Sequence, residues 1–427
     1  MVEIKKENSL LKYTYILLTA ISCLSIYKST EWTKLKLAHV LFIGIALLHF
    51  MLIFKTKNLK TIGAFLWRYG LFLIVLLDLS LFIYVVRGSE TALIKLGTVK
   101  IFYQFITVFV GISAIYLFED KAVDYTFWGY VLFNTICIFL ALKDHGVSGA
   151  IWSINKFLHT GGDADGFMKK LELHDGTFAF GIFLIYYYLL GIKSHKKEFF
   201  TGLFFFAIGY KRIGIAGVLL AFMIISILKR TNGKTTYALG RLVMLAYMTA
   251  GILCVVLIRS GLFEYIMNEL NINMMGRQNL FAYIADFYYL SPKFIGHGFE
   301  SIRFILAAAG DIKVNYTYIS KMAAIHSDYL RMYIEMGFWG FAFWEWYTFM
   351  FMPRQMNKFG RYTFIGYVAC TSYLAFTYFT DNTVMFFLVS VAYKLVPLAL
   401  ACVQDRKGKE ENSERFGKTG ISDNSFS

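Results

Sequence analysis

Residues 71–86 read LFLIVLLDLSLFIYVV and residues 245–258 read LAYMTAGILCVVLI. Asp78 is the only charge in the first run, and the second has none. Lipid offers backbone N–H and C=O groups no partners, so runs of this kind are read as spanning helices, whose hydrogen bonds close internally. The whole chain follows suit, with 57% hydrophobic and 17% charged residues and only 3 prolines in 427. A soluble domain carries nearer ~25% charge. The fold class predicted is therefore all-α, a polytopic membrane protein.

With a span of ~20 residues as template, helices are expected at 13–30, 35–54, 66–86, 98–118, 124–142, 176–191, 199–210, 212–228, 237–258, 337–352, 361–380 and 383–402. This makes about twelve spans in one transmembrane unit over 1–402. The polar tail, 403–427, is expected to be disordered and cytoplasmic. The N-terminus shows no small-residue cleavage site, so the first apolar run is read as a retained helix.

Basic residues in the short loops set the orientation. With Lys5, Lys6 and Lys12 inside, the alternating gaps also place Lys55, Lys57, Lys60, Lys193, Lys196, Lys197, Lys229, Arg230, Lys234, Arg354, Lys358 and Arg361 inside. Lys28, Lys34 and Lys36 flank the first outer turn and are the mild exception. Both termini come out cytoplasmic. The net charge of +15 is spread over these gaps and not gathered on one face, which excludes a nucleic-acid partner and favours anionic membrane lipids. The five cysteines are scattered in or beside apolar segments, with neither metal spacing nor a disulfide framework.

Two outer segments exceed a simple turn. One covers 143–175. The larger, 259–336, lies between the ninth and tenth helices and has its own apolar patterning, with short amphipathic helices expected at 262–270, 279–289 and 319–335. The segment from Glu198 to Leu228 must enter and leave on the basic side. Its two limbs are too short for a ~30 Å core, so the tip, Gly209-Tyr210-Lys211-Arg212, is expected below the outer surface.

The large outer loop carries Gly276-Arg277-Gln278-Asn279, then Pro292-Lys293-Phe294-Ile295-Gly296-His297-Gly298-Phe299, then His326-Ser327-Asp328-Tyr329-Leu330, and it leads into Glu335-Met336-Gly337. With the hairpin Arg212 and the following Gly214, this order resembles the O-antigen ligase and polysaccharide polymerase family of membrane glycosyltransferases. The resemblance covers about a third of the chain, residues 198–350. Relatives often carry Pro-Asn at the start of the sixth helix and Ser before the hairpin Arg, where this chain has His174-Asp175-Gly176 and Lys211.

The resemblance implies an inverting, metal-free and cofactor-free transfer from an undecaprenyl-pyrophosphate-linked glycan on the outer face of a bacterial cytoplasmic membrane. The function expected is polymerisation of repeat units into capsular polysaccharide, exopolysaccharide or O-antigen. It also implies a flippase and a chain-length regulator as companion proteins. A ligase of the same family is the second enzyme reading. A flippase is the alternative of another class, but flippases usually show two comparable halves with short outer loops.

The residues support roles of their own. A lipid pyrophosphate needs fixed positive charge, and the guanidinium fork suits phosphate oxygens. Arg212 and Arg277 are the candidates, with Lys211 beside them; the bland reading of the hairpin pair is snorkelling to headgroups. His326 is the candidate base for the acceptor hydroxyl. His297, between two glycines, either approaches a ligand or belongs to a structural turn. Glu172, His174 and Asp175 either orient an acceptor sugar or are solvated loop charges. Read as one helix over 322–349, His326 and Glu335 fall on opposite faces, about 13 Å apart along the axis. Glu335 is then expected to pair with Arg331 one turn before it. Asp78, inside the third helix, is costly there unless paired.

Overall fold

The computed structural model describes residues 9–24, 36–54, 58–159, 166–171, 174–270, 277–314, 317–319 and 324–419. The first ten helices are α1 (Ser9–Cys23), α2 (Leu37–Ile53), α3 (Leu59–Arg87), α4 (Thr91–Phe118), α5 (Lys121–His159), α6 (Gly166–Leu171), α7 (His174–Leu190), α8 (Lys196–Ile208), α9 (Arg212–Arg230) and α10 (Gly233–Arg259). The loop that follows carries α11 (Leu262–Glu269), α12 (Arg277–Ala285), α13 (Ser301–Ala307) and a small antiparallel pair, β1 (Lys313–Val314) and β2 (Thr317–Tyr318). Then come α14 (Asp328–Glu345), a π-turn (Trp346–Phe351), α15 (Met352–Asn357), α16 (Arg361–Thr377) and α17 (Phe387–Thr419). Among the described residues, six helices are long and apolar enough to cross a bilayer by length and composition: α3, α4, α5, α9, α10 and α17. Three shorter apolar helices accompany them.

Helices α16 and α17 form the centre, packed on each other and on α4, α7, α9 and α10. Over residues 363–377 and 387–402 they are buried on nearly every face, which is why these stretches are apolar almost all round. Lys394 on α17 is the exception, and it is satisfied: its ammonium donates to the Gln104 carbonyl (3.2 Å), the Gln104 side chain (3.0 Å) and the Thr107 hydroxyl, all on α4. The hairpin limbs α8 and α9 have 13 and 19 residues, about 20 and 28 Å. Their tip wedges against the first turn of α7, where a methyl on Gly209 would fall 1.9 Å from the Thr177 hydroxyl.

Four expectations change. The segment from Lys143 is no loop: α5 continues through it to His159, breaking only at Gly146 (φ 68°). A β-pair joins the otherwise helical loop. The helix expected over 319–335 starts only at Asp328, with Ser327 as its N-cap, and 324–327 are not helical. The last helix does not stop at 402 but runs to Thr419, through a Lys-, Glu- and Arg-rich stretch of good helix formers.

The decisive local feature lies inside α14. Gly337 (φ 70°, ψ −176°) breaks the helix. A continuous helix would give the carbonyls of Ile334 and Glu335 to its own later N–H groups. Instead they accept from His297 N (3.0 Å) and Gly298 N (2.8 Å), and the displaced Phe338 N–H donates to Phe294 O (2.8 Å). The backbones touch so closely that a methyl on Gly296 would sit 2.5 Å from Gly337 N, and one on Gly337 2.3 Å from Ile295 C. Glycine on both sides is a steric requirement of this crossing, and both positions have positive φ.

Gly337→Ala therefore meets a backbone clash as well as a left-handed φ, which alone costs about 1–3 kcal/mol. Gly146→Ala meets only the φ penalty, since nothing lies within 4 Å of its added methyl. Thermal unfolding in detergent should show the larger loss for Gly337→Ala. Equal losses would mean that the crossing is loose.

Candidate functional site

Breaking α14 tilts its first half and brings separate elements around one cavity of about 360 Å³. Its charged and titratable lining comes from α4 (Lys100), the start of α13 (Glu300, Arg303), the segment before α14 (His326), α14 itself (Arg331, Glu335) and the segment after α16 (Asp381).

Each position has a local cause. The Tyr84 hydroxyl donates to Phe299 O (2.6 Å) and Arg87 Nε to Gly296 O (2.8 Å), tying the 296–299 segment to the end of α3. Glu300 follows in a left-handed conformation (φ 65°). Arg331 then reaches both ways, to Glu300 Oε1 at 2.7 Å and Glu335 Oε2 at 3.1 Å. Glu335 is only 1% exposed and also accepts from Ile302 N (3.4 Å). The two carboxylates hold the Arg331 guanidinium firmly charged, against the pull of burial. Burial pushes the Glu335 carboxyl upward, with Arg331 opposing and Glu300 adding to the shift. A proton on Glu335 would leave the three-residue cluster neutral.

The loop after α16 is pinned to the start of α14. Asp328 N donates to Tyr378 O (2.9 Å), and Asp328 Oδ2 accepts from Val384 N (2.8 Å). Asp328 is fully buried, and its second oxygen has no partner. Burial raises this carboxyl to about 8. A proton on the unpartnered oxygen accounts for its tolerance there. This pinning fixes Asp381 at the cavity wall. The same Asp381 faces Arg277, the first residue of α12, and counters the effect of burial on that guanidinium.

The cavity thus joins residues that the sequence left apart. His326 precedes α14 with φ 56°, so the straight helix over 322–349 does not exist, and His326 and Glu335 line the same space. The Arg331–Glu335 pair is present as expected, and it is buried. Arg277 does not line the cavity; it is linked to it only by the charge of Asp381. His297 is half-buried, and its ring Nε2 meets Phe287 O at 2.7 Å. Burial lowers its pKa, and its backbone serves the glycine crossing. It belongs to the structural turn.

Lys211 is the N-cap residue of α9, and Arg212 is exposed over the Tyr210 ring (6.0 Å). Neither lines the cavity. Glu172 lies outside the described residues, and His174 and Asp175 begin α7 without described side chains.

Four lining groups escaped the sequence reading: Lys100, Arg303, Glu300 and Asp381. Lys100 is the only one that carried a signal, as a cation at the edge of an apolar run. Among the described residues neither Lys100 nor Arg303 is ion-paired. The cavity therefore offers two available cations, a histidine and a buried acid–guanidinium cluster. No family model matches this chain, and no curated protein is similar enough to count as a relative.

The raised Asp328 makes a pH prediction. The folded state favours the protonated carboxyl, so the stability it contributes is full below the ordinary carboxylate range and is lost as pH rises through about 8. Asp328→Asn keeps the shape without the proton. Its unfolding free energy should gain on wild type as pH climbs from about 4 to about 8. A flat difference across that range would show that Asp328 titrates as an ordinary acid.

Proposed function

We propose that this chain is a membrane glycosyltransferase of the polysaccharide polymerase type. In this reading about twelve spans cross a bacterial cytoplasmic membrane, and the 259–336 loop lies on its outer face. The substrates are undecaprenyl-pyrophosphate-linked repeat units. One observation carries the reading: a cavity lined by His326 and by two cations, Lys100 and Arg303, that have no acid partner among the described residues. Its volume falls in the range of small-ligand pockets, roughly 300–1,000 Å³.

The chemistry needs both parts. A bond forms between the acceptor hydroxyl oxygen and the anomeric carbon of the donor glycan, while the bond from that carbon to the pyrophosphate oxygen breaks. Attack from the opposite face inverts the centre. His326 takes the hydroxyl proton. Lys100 and Arg303 meet the negative charge that grows on the departing pyrophosphate, where preorganised charge in a partly dry site acts most strongly. The main phosphate contacts thus move from Arg212 and Lys211 to residues of the cavity wall. Arg331, held between Glu300 and Glu335, shapes the wall and is not free to bind an anion.

The test is glycan formation from purified lipid-linked repeat units. His326→Ala should lower kcat by about 10²–10⁴ with KM for the donor nearly unchanged. Arg303→Ala and Lys100→Ala should each weaken donor binding about tenfold or more, the usual loss for a hydrogen bond to a charged group. Activity near wild type in His326→Ala, or unchanged donor binding in the double cation variant, would overturn the assignment.

Sidedness is tested separately. Reporter fusions at Ile295 should read outside, and those at Lys196 and Lys358 inside. A cytoplasmic reading at Ile295 would put the cavity on the wrong side for this donor.

A further inference from the structure

Helix α3 has a face that its own fold leaves uncovered. The exposed positions follow a helical stripe through Gly63, Trp67, Ile74, Asp78, Leu81 and Val85. Most of these are what a lipid-facing stripe should be. Asp78 is not. It is exposed, and no hydrogen bond or ion pair joins it to any described residue.

Its depth follows from its neighbours on the same helix. Arg68 donates to Ala64 O and to the Gln355 side chain, and Arg87 donates to Gly296 O. These two arginines lie about 28 Å apart along the axis, close to the ~30 Å of a bilayer core. Asp78 stands about 15 Å from one and about 13 Å from the other, at the middle. Lipid headgroups cannot reach it there. A carboxyl at that depth, facing outward, costs several kcal/mol unless something in the membrane meets it.

Beside this stripe lies an apolar groove of about 300 Å³ between α3 and α4, lined by Gly63, Trp67, Gly70 and Ile74 on one side and Phe105 and Phe109 on the other. Gly63 and Gly70 stand seven residues apart on the same face. A methyl on either would meet nothing within 4 Å. The glycines therefore do nothing for packing within this chain, and small residues on an open face are what lets a second helix approach closely.

We propose that the α3 face docks a transmembrane helix of a partner protein, one carrying a basic side chain that pairs with Asp78 at mid-bilayer. The groove takes the apolar ridge of the partner and the carboxylate fixes its register. A second copy related by a twofold axis does not fit, because it would bring Asp78 against Asp78. The inference requires α3 to span the membrane but is independent of the reaction proposed above.

The test is site-specific photo-crosslinking with benzoylphenylalanine at Ile74 or Leu81 in the full-length chain, in native membranes. The expected result is a discrete adduct with an integral membrane protein, mapped to one of its spanning helices within a turn of a Lys, Arg or His. Asp78→Leu should lower the adduct yield tenfold or more while the chain stays in the membrane at normal level. Gly70→Leu, whose added Cβ meets nothing within 4 Å and whose branch points into the groove space, should lower it as well. Asp78→Lys combined with an acid at the partner's basic position should restore it. Adducts only with lipid or with a second copy, a mapped helix with no basic residue, or a yield that Asp78→Leu leaves intact would each overturn the proposal.

Discussion

The crossing of the 294–298 segment over the unwound turn at Gly337 governs the rest of this end of the molecule. Its strength lies in an exchange of backbone partners between helix and loop. The helix gives up its own hydrogen bonds at the break, and the loop returns N–H donors and a carbonyl acceptor to the groups released. Unmet backbone groups in a buried place cost far more than a net hydrogen bond gains. The break and the loop are thus mutually dependent. Remove either and the other is left with unpaired polar atoms. Glycines occupy both sides because two backbones at this distance leave no room for a Cβ.

The ion cluster next to it follows from the same break. Arg331 and Glu335 would face one another on any helix, being one turn apart, but Glu300 joins them only because the crossing lays the end of the 294–299 segment alongside. A buried cluster of this kind is weak grounds for stability, since desolvation of three ionisable groups offsets their attraction. Its better-founded consequence is geometric. It fixes the wall of the cavity, and it occupies Arg331, so that Lys100 and Arg303 are the cations left to meet a ligand.

The same contrast separates Asp328 from Asp78. Asp328 is sealed inside and held by two backbone contacts on the 378–384 segment, so a proton resolves its burial. Asp78 stands on a lipid-facing surface with nothing beside it. No described residue resolves it, and the physical pressure points outward to a neighbour in the membrane.

The sequence by itself determined that this is a helical chain with several membrane-crossing segments, because apolar run length reflects a requirement of lipid on the backbone and needs no tertiary partner. It also determined the Arg331–Glu335 pair, a relation internal to one turn of helix. The glycines at 296, 298 and 337 were visible as motifs, but their role was not. Nothing local says that a helix will break so that a loop forty residues earlier can complete its hydrogen bonds. For that reason a straight helix was expected, and His326 and Glu335 were placed on opposite faces. Lys100, Arg303, Glu300 and Asp381 come from three distant parts of the chain, and no spacing rule connects them. Only the packing of α4, α13, α14 and the end of α16 around a common space brings them together, and it is the crossing at Gly337 that decides where that space lies.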